Sequence, residues 1–201
     1  MAEHKKTAEK RNEILAHFCN FIAKEGFENA SIQKIAAESG ISPSLLVFYF
    51  KNKEELVINL VDFLLKQYEV AFFEDIQHTI LVEERFDKAM DILFGQRWLE
   101  LGNTAAFYAC YYLSIRNPQI KQRFQAMYLH FKLILTQEID IWVKNGLVKV
   151  ANSEEVAECL IMLNEGLSFF QRVFSQENYL TRAQAVKKMA LQLLQQTQDT
   201  Q

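Results

Sequence analysis

The chain has 201 residues, of which 50% are apolar and 23% charged, and its net charge is −3. That balance is too apolar for a disordered chain and supplies no bulk positive field, so any nucleic-acid contact must rest on local placement. Only 6 glycines and 2 prolines punctuate the chain, which argues against strands joined by tight turns and for an all-α fold.

Cys19, Cys110 and Cys159 match no metal or redox spacing, and an odd number makes a poor disulfide framework. Buried thiols in a reducing compartment are the expectation. His4, His17, His78 and His130 are isolated, so no metal and no other cofactor is expected. The polar start MAEHKKTAEKRNEI lacks the apolar core of a secretory signal. The longest uncharged stretch, between Glu100 and Arg116, is shorter than the roughly 18–20 residues of a membrane span. A cytoplasmic protein with no membrane partner is expected.

In chain order, Ile14, Phe18, Phe21 and Ile22 lay one apolar stripe along a helix from about Lys6 to Glu25, and Gly26 ends it. Ser31 caps a short helix in SIQKIAAES, closed by Gly40. Ser42 and Pro43 supply a capping hydroxyl and a proline at the first helical position, starting a third helix that runs to about Phe50. Asn52 caps a long fourth helix, with Glu54 and Glu55 in its first turn where the helix dipole favours anions, and its periodicity continues to Phe73. Five further helices follow: Glu83–Leu99, Thr104–Arg116, Gln119–Lys144, one capped by Ser153 that reaches Phe174, and one from Thr181 to Gln196 with Gln184 completing a capping box. The plan is a three-helix head over residues 1–51 and a larger helical domain over residues 52–201.

The third helix poses the sharpest question. At about 100° per residue, Leu45, Leu46 and Tyr49 fall on one side, while Pro43, Ser44, Val47 and Phe48 fall opposite. The first group is expected to pack on the two preceding helices. The second group points outward, with no carboxylate between Glu38 and Glu54 and with Lys51 and Lys53 at its end. Such a face suits insertion into a DNA major groove, with lysines and capping hydroxyls on phosphates, Val47 and Phe48 against thymine methyls, and Ser44 near base edges. It equally suits packing on another part of the same protein, and the residues alone leave both readings open. Lys5, Lys6, Lys10 and Arg11, diluted by Glu3, Glu9 and Glu13, either brush the DNA backbone or form a solvated helix start.

The segment SIQKIAAESGISPSLLVFYFKNKEEL resembles the DNA-binding head of the tetracycline-repressor (TetR) family, and the preceding helix ends in Gly26-Phe27 as those heads do. The resemblance implies that Gln33, Pro43, Ser44, Val47, Phe48, Tyr49 and Lys53 stand where family members meet DNA. It also implies that Ser31 and Ser42 touch phosphate, with Lys53 the surest phosphate contact. One departure is Val47, where the family commonly has tyrosine. A three-helix head with a six-helix ligand and dimer domain is the architecture implied, and with it a ligand-responsive repressor that binds a palindromic operator in double-stranded DNA as a homodimer.

The family places a small-molecule effector cavity in the larger domain. The aromatic residues Tyr68, Phe72, Phe94, Trp98, Phe107, Tyr108, Tyr111 and Tyr128 are its candidate lining, with Glu165 and Phe169. Ring for ring, core packing is the commoner role. The stretch WLELGNTAAFYACYYLSIRNP and the residues Asn164-Glu165-Gly166-Leu167 are similar to choline-responsive, BetI-like members of the family. Glu165 in an apolar run must be paired, exposed or used, and Arg97 beside Trp98 could equally meet an anion, so the sign of the effector stays open. The last two helices carry Val156, Leu160, Leu163, Leu167 and Phe170, then Val186, Met189 and Leu193. These stripes suit a four-helix dimer interface, or the core of a monomer. No catalytic triad spacing or glycine-rich phosphate loop points to an enzyme. A helical interaction adaptor that docks through Val47 and Phe48 is the alternative to a DNA-binding role.

Overall fold

Helix ends organise this chain, and most of them are set by residues visible in the sequence. The computed structural model describes residues 2–95, 104–174 and 178–195. Among these residues it has nine helices and no strand: α1 (Ala2–Glu25), α2 (Ile32–Glu38), α3 (Pro43–Phe50), α4 (Lys53–Gln77), α5 (Val82–Phe94), α6 (Thr104–Ser114), α7 (Pro118–Lys144), α8 (Ser153–Val173) and α9 (Tyr179–Leu193). None of the described helices is long and apolar enough to cross a membrane.

The hydroxyls of Ser31 and Ser42 accept from the backbone N–H of Lys34 (3.3 Å) and Leu45 (3.2 Å), satisfying one orphan donor at the start of α2 and of α3. Asn52 does the same for α4 through Glu55 N–H at 2.8 Å. At the end of α2, Gly40 takes φ +64°, so that its N–H reaches Ala37 and the Ile41 N–H reaches the Ala36 carbonyl. That paired closure needs a left-handed residue, which glycine adopts without a Cβ clash. Gly146, at φ +74°, closes α7 in the same way through Val143 and Trp142.

Three starts differ from the sequence reading by more than a boundary residue or in their cap, and the first is α1, which begins at Ala2 rather than near Lys6. Asn152, not Ser153, caps α8, accepting from Glu155 N–H at 3.2 Å. The last helix begins at Tyr179, two residues before Thr181, and its cap residue Asn178 makes no side-chain bond. Burial of Tyr179 explains the earlier start, since its ring is a core residue that the helix must position. The expected end of the fifth helix, Leu99, lies outside the described residues.

Packing divides the chain into two compact units, Met1–Tyr68 with Gly102–Met127, and Glu69–Leu101 with Tyr128–Gln201. The first unit takes in the opening turns of α4, whose Leu56 and Leu60 are buried. In the first unit α1 packs on α2 and α6, and α2 packs on α3. Ile14, Phe18, Ile35, Leu46, Phe50, Leu56 and Leu60 are fully buried there. Each such side chain contributes about 1.5–3 kcal/mol by burial. Cys19 and Cys110 are buried in the same unit, and loss of hydration pushes both thiols up to about 12, leaving them inert at neutral pH.

The second unit packs α5 on α8 and α9, and α8 on α9. Its core holds Met90, Leu135, Ile139, Trp142 and Leu160, with Phe86 edge-on to Trp142 at 5.0 Å. Arg85 and Glu138 form an ion pair inside it. The end of α5 is held from outside: buried Asn164 of α8 donates to the Leu93 carbonyl at 2.5 Å, and Tyr179 of α9 donates to the Gly95 carbonyl at 2.8 Å. Both bonds satisfy acceptors that the helix itself leaves over.

Replacing Asn164 with Ala should leave the Leu93 carbonyl without its buried donor and lower unfolding stability by about 1–3 kcal/mol. Urea unfolding measures the loss. Amide exchange should accelerate first at the end of α5.

Candidate functional site

The helix-turn-helix element consists of α2, a four-residue turn closed by Gly40, and α3. Leu46 and Phe50, four residues apart, are both fully buried and fasten α3 to the head. The sequence reading assigned Leu45 to that inner face, but Leu45 is 38% exposed. Phe50 takes its place, because an (i, i+4) pair on so short a helix uses a narrow stripe and turns residue 45 away from it. Tyr49 is half-buried, with its ring edge-on to Phe48 at 5.5 Å.

Outside this stripe, Pro43, Ser44, Val47 and Phe48 are exposed, with Val47 at 41% and Phe48 at 76%. An exposure of that size for phenylalanine is costly in water and rules out packing of this face on the same unit's core. Ser42 and Ser44 share a hydrogen bond at 2.9 Å between their hydroxyls at the head of the helix. Gln33 is exposed on α2, and Ser31 is half-exposed at its start. The residues expected to touch DNA are therefore all at least partly exposed, with Tyr49 among the less exposed of them.

The cations behave less simply. Lys51 closes α3 with φ +57° and pairs with Glu55 at 3.2 Å. Lys53, expected on phosphate, donates from Nζ to the Ala30 carbonyl at 2.5 Å and lies 5.3 Å from the Phe27 ring centroid. A phosphate contact would have to share or displace that bond. Arg11, which the sequence grouped with a basic tail, is turned inward to the end of α3. Lys10 pairs with Glu13 at 2.9 Å. Residue type alone gives no signal of these inward partners.

The candidate effector residues separate between the two units. In the first, Tyr68, Phe107, Tyr108 and Tyr111 join Phe124 in one aromatic cluster, with Tyr68 and Phe107 at 4.8 Å and Phe107 and Phe124 at 5.5 Å. Tyr68 and Phe107 are buried, while Tyr111 is largely exposed. In the second, Phe94 is a core residue and Phe169 is exposed, which removes Phe169 from any enclosed lining. Trp98 and Arg97, with the side chain of Phe72, lie outside the described residues.

Glu165 resolves more sharply. Tyr128 donates its hydroxyl proton to the Glu165 carboxylate at 2.9 Å. Burial raises the carboxyl above its ordinary value of 4.5, against the opposing pull of the Tyr128 hydrogen bond and of Arg172. The result is a half-buried carboxylate held in place but under-hydrated, the condition in which a carboxylate gains most from a donor or cation.

Among the expected interface residues, Leu160 and Leu167 are buried within their own unit and serve its core, so they cannot meet a partner directly. Val156, Leu163, Val186 and Leu193 are half-buried, while Phe170 and Met189 are exposed. Phe170 stacks on Phe174 at 5.6 Å, and the Arg182 guanidinium lies 5.1 Å from the Phe174 ring centroid. Leu163, Met189 and Leu193 line one groove together with Cys159, Met162 and Gln192.

A buried-edged, outward-reading third helix after a glycine-closed turn defines a helix-turn-helix protein. Residues 14–60 match the family described as bacterial regulatory proteins of the tetR family, and residues 82–196, more than half of the chain, match the tetracyclin repressor-like C-terminal domain. The chain belongs to the TetR family and is a DNA-binding transcriptional regulator rather than an enzyme.

The chain is similar in fold to a TetR transcription regulator from Haloarcula marismortui, with a TM-score of 0.83 at 18% identity, covering 94% of this chain and 100% of that one. A regulator from Saccharomonospora viridis, solved with choline, gives a TM-score of 0.76 at 19% identity, covering 90% and 95% of the two chains. The fatty acid metabolism regulator protein of Bacillus subtilis (strain 168) is 29% identical over 76 residues, which is 38% of this chain and 39% of that protein. The chain thus matches about two-fifths of the length of that curated relative.

Because the Glu165 carboxyl is raised, the folded protein holds its proton more tightly than the unfolded chain does. Its ionisation therefore subtracts stability as pH rises above 4.5 toward the raised value. Glu165→Gln keeps an acceptor for Tyr128 and removes the charge. Its stability relative to the parent protein should match below pH 4.5 and rise with pH above it, as read by urea unfolding at a series of pH values.

Proposed function

We propose that this regulator is a ligand-responsive repressor that binds a palindromic operator as a homodimer and is released by a small molecule. The supporting observation is the outer side of α3, where Phe48 is 76% exposed beside Val47 and the capped serines. On this reading residues 1–51, with Lys53 just beyond them, supply the DNA contacts and residues 52–201 supply effector binding and dimerisation. Val47 and Phe48 meet thymine methyls, Ser44 meets base edges, and Ser31, Gln33 and Ser42 hold the backbone. Pro43 lets the helix approach closely, Tyr49 braces Phe48, and Lys53 neutralises phosphate once it shares its bond to Ala30.

Dimerisation draws support from the exposed rings Phe170 and Phe174 and from Met189. A two-fold axis places two copies of α3 about one DNA turn apart, ~34 Å, which calls for a palindrome. Tyr128 and Glu165 are the proposed effector contact, suited to a cationic or hydrogen-bonding group. Preferential binding to one conformer shifts the population away from the DNA-competent state, with a coupling of about 1–3 kcal/mol.

A gel shift with DNA from upstream of the protein's own gene tests the main reading. Sequence-selective retention is expected, and Phe48→Ala should weaken it by about 1–3 kcal/mol while leaving the salt dependence intact. Binding that ignores sequence would instead favour an interaction adaptor.

Phe170→Glu should turn a sedimenting dimer into a monomer and lower operator affinity with it. A Phe170→Glu protein that remains dimeric would rule out this face as the interface.

Thermal shift with choline and with palmitate, in the parent protein and in Glu165→Gln, tests the effector contact. A shift by either compound that disappears in the variant is expected, and a shift indifferent to the variant would remove Glu165 from the site.

A further inference from the structure

Arg11 sits on α1, yet all of its described contacts are made with the end of the reading helix and with α4. Its Nη1 donates to the Tyr49 carbonyl at 2.5 Å, and its Nη2 donates to the Asn59 Oδ1 at 2.7 Å. The same guanidinium lies 4.6 Å from the centroid of the buried Phe50 ring. Asn59 is oriented in turn, because its Nδ2 donates to the Glu55 carbonyl at 2.7 Å. One planar group therefore ties three helices of the first unit together at a single point.

The chemistry suits arginine alone. Two N–H groups at a fixed mutual angle reach two acceptors on different helices while the flat face covers an aromatic ring. A lysine carries the charge but not the fork. The charge also has a reason to be there: the last carbonyls of α3 form the negative end of its dipole. Two other late carbonyls are already used, Val47 by Lys51 N–H at 2.7 Å and Phe50 by Asn52 N–H at 2.6 Å. Arg11 supplies the partner for Tyr49, which lies one residue beyond Phe48.

We propose that Arg11 is a positioning residue for DNA reading. Through the Tyr49 carbonyl it fixes the angle at which the Pro43–Phe48 side of α3 is presented, without itself touching phosphate. This rests on the reading of α3 as the helix that meets bases. An eight-residue helix anchored by only two fully buried side chains has freedom to roll about that stripe. The Arg11 bonds lie at its far end, where they restrain rolling most.

The test uses the full chain. The unmodified protein first selects a duplex from a random-sequence library, and a scrambled version of that duplex serves as the reference. Affinities for both are measured over a salt series for the parent, Arg11→Met, Arg11→Lys and Asn59→Ala, each well below its melting temperature. The expected result is a tenfold or greater fall in the selected-over-scrambled ratio for both Arg11 variants, and a smaller fall for Asn59→Ala. Scrambled-duplex affinity and the salt slope should stay unchanged. If Arg11→Met does not fold, Arg11→Lys and Asn59→Ala decide the matter.

An unchanged ratio with a lowered melting temperature would make Arg11 a stabilising residue only and overturn the proposal. A salt slope reduced by about one, with both affinities falling together, would make it a phosphate ligand and overturn it equally. Failure of the parent protein to select any sequence would instead overturn the reading of α3, and the positioning role with it.

Discussion

The head depends on one constraint: a helix of eight residues cannot sustain itself in water, so α3 exists only because other helices complete it. Its start is completed locally by the Ser42 hydroxyl and by Pro43, which needs no donor partner there. Its body is completed by burial of Leu46 and Phe50. Its end is completed at long range, by an arginine 38 residues earlier in the chain. The larger unit solves the same problem at the end of α5, where Asn164 and Tyr179 reach in from two other helices to Leu93 and Gly95.

What was legible in the sequence follows from this contrast. Starts of helices are written locally, so Ser31, Ser42 and Asn52 announced α2, α3 and α4 with the bonds that the structure shows. Gly40 likewise announced the closure of α2. Completion at long range leaves no local trace. Nothing around Arg11 or Lys53 distinguishes an inward cation from one on the surface: the sequence puts Lys53 on phosphate and leaves Arg11 between the DNA backbone and solvent. The Leu45 error has another source: an angular average over eight residues cannot tell which two will be chosen by the core. The late start assigned to the last helix came from a persuasive Thr-Gln pair that burial of Tyr179 overrode.

Across the two units the aromatic wealth of the sequence resolves into separate duties. Tyr68 and Phe107 are core, Phe170 and Phe174 are surface, and Tyr128 serves as a donor to a carboxylate. Composition could identify the crowd but not these assignments, because ring burial depends on neighbours far away in the chain. Glu165 was recognisable as an anomaly from its apolar surroundings alone. The structure adds the physical state: one firm hydrogen bond, poor hydration and a raised proton affinity. The alternation of Leu160, Leu167 and Phe170 along α8 shows the same limit, since a single apolar stripe fed two destinations, the interior and the exterior.

The division of labour on α3 carries a further consequence. Leu46 and Phe50 hold the helix by full burial, while Ser44, Val47 and Phe48 are exposed and contribute less to holding it. Drift at the outer three positions is therefore less visible to folding. A duplicated gene can change its vocabulary there while its scaffold stays under the old selection, so lineages sharing this architecture are free to diverge in what they recognise long before they diverge in shape.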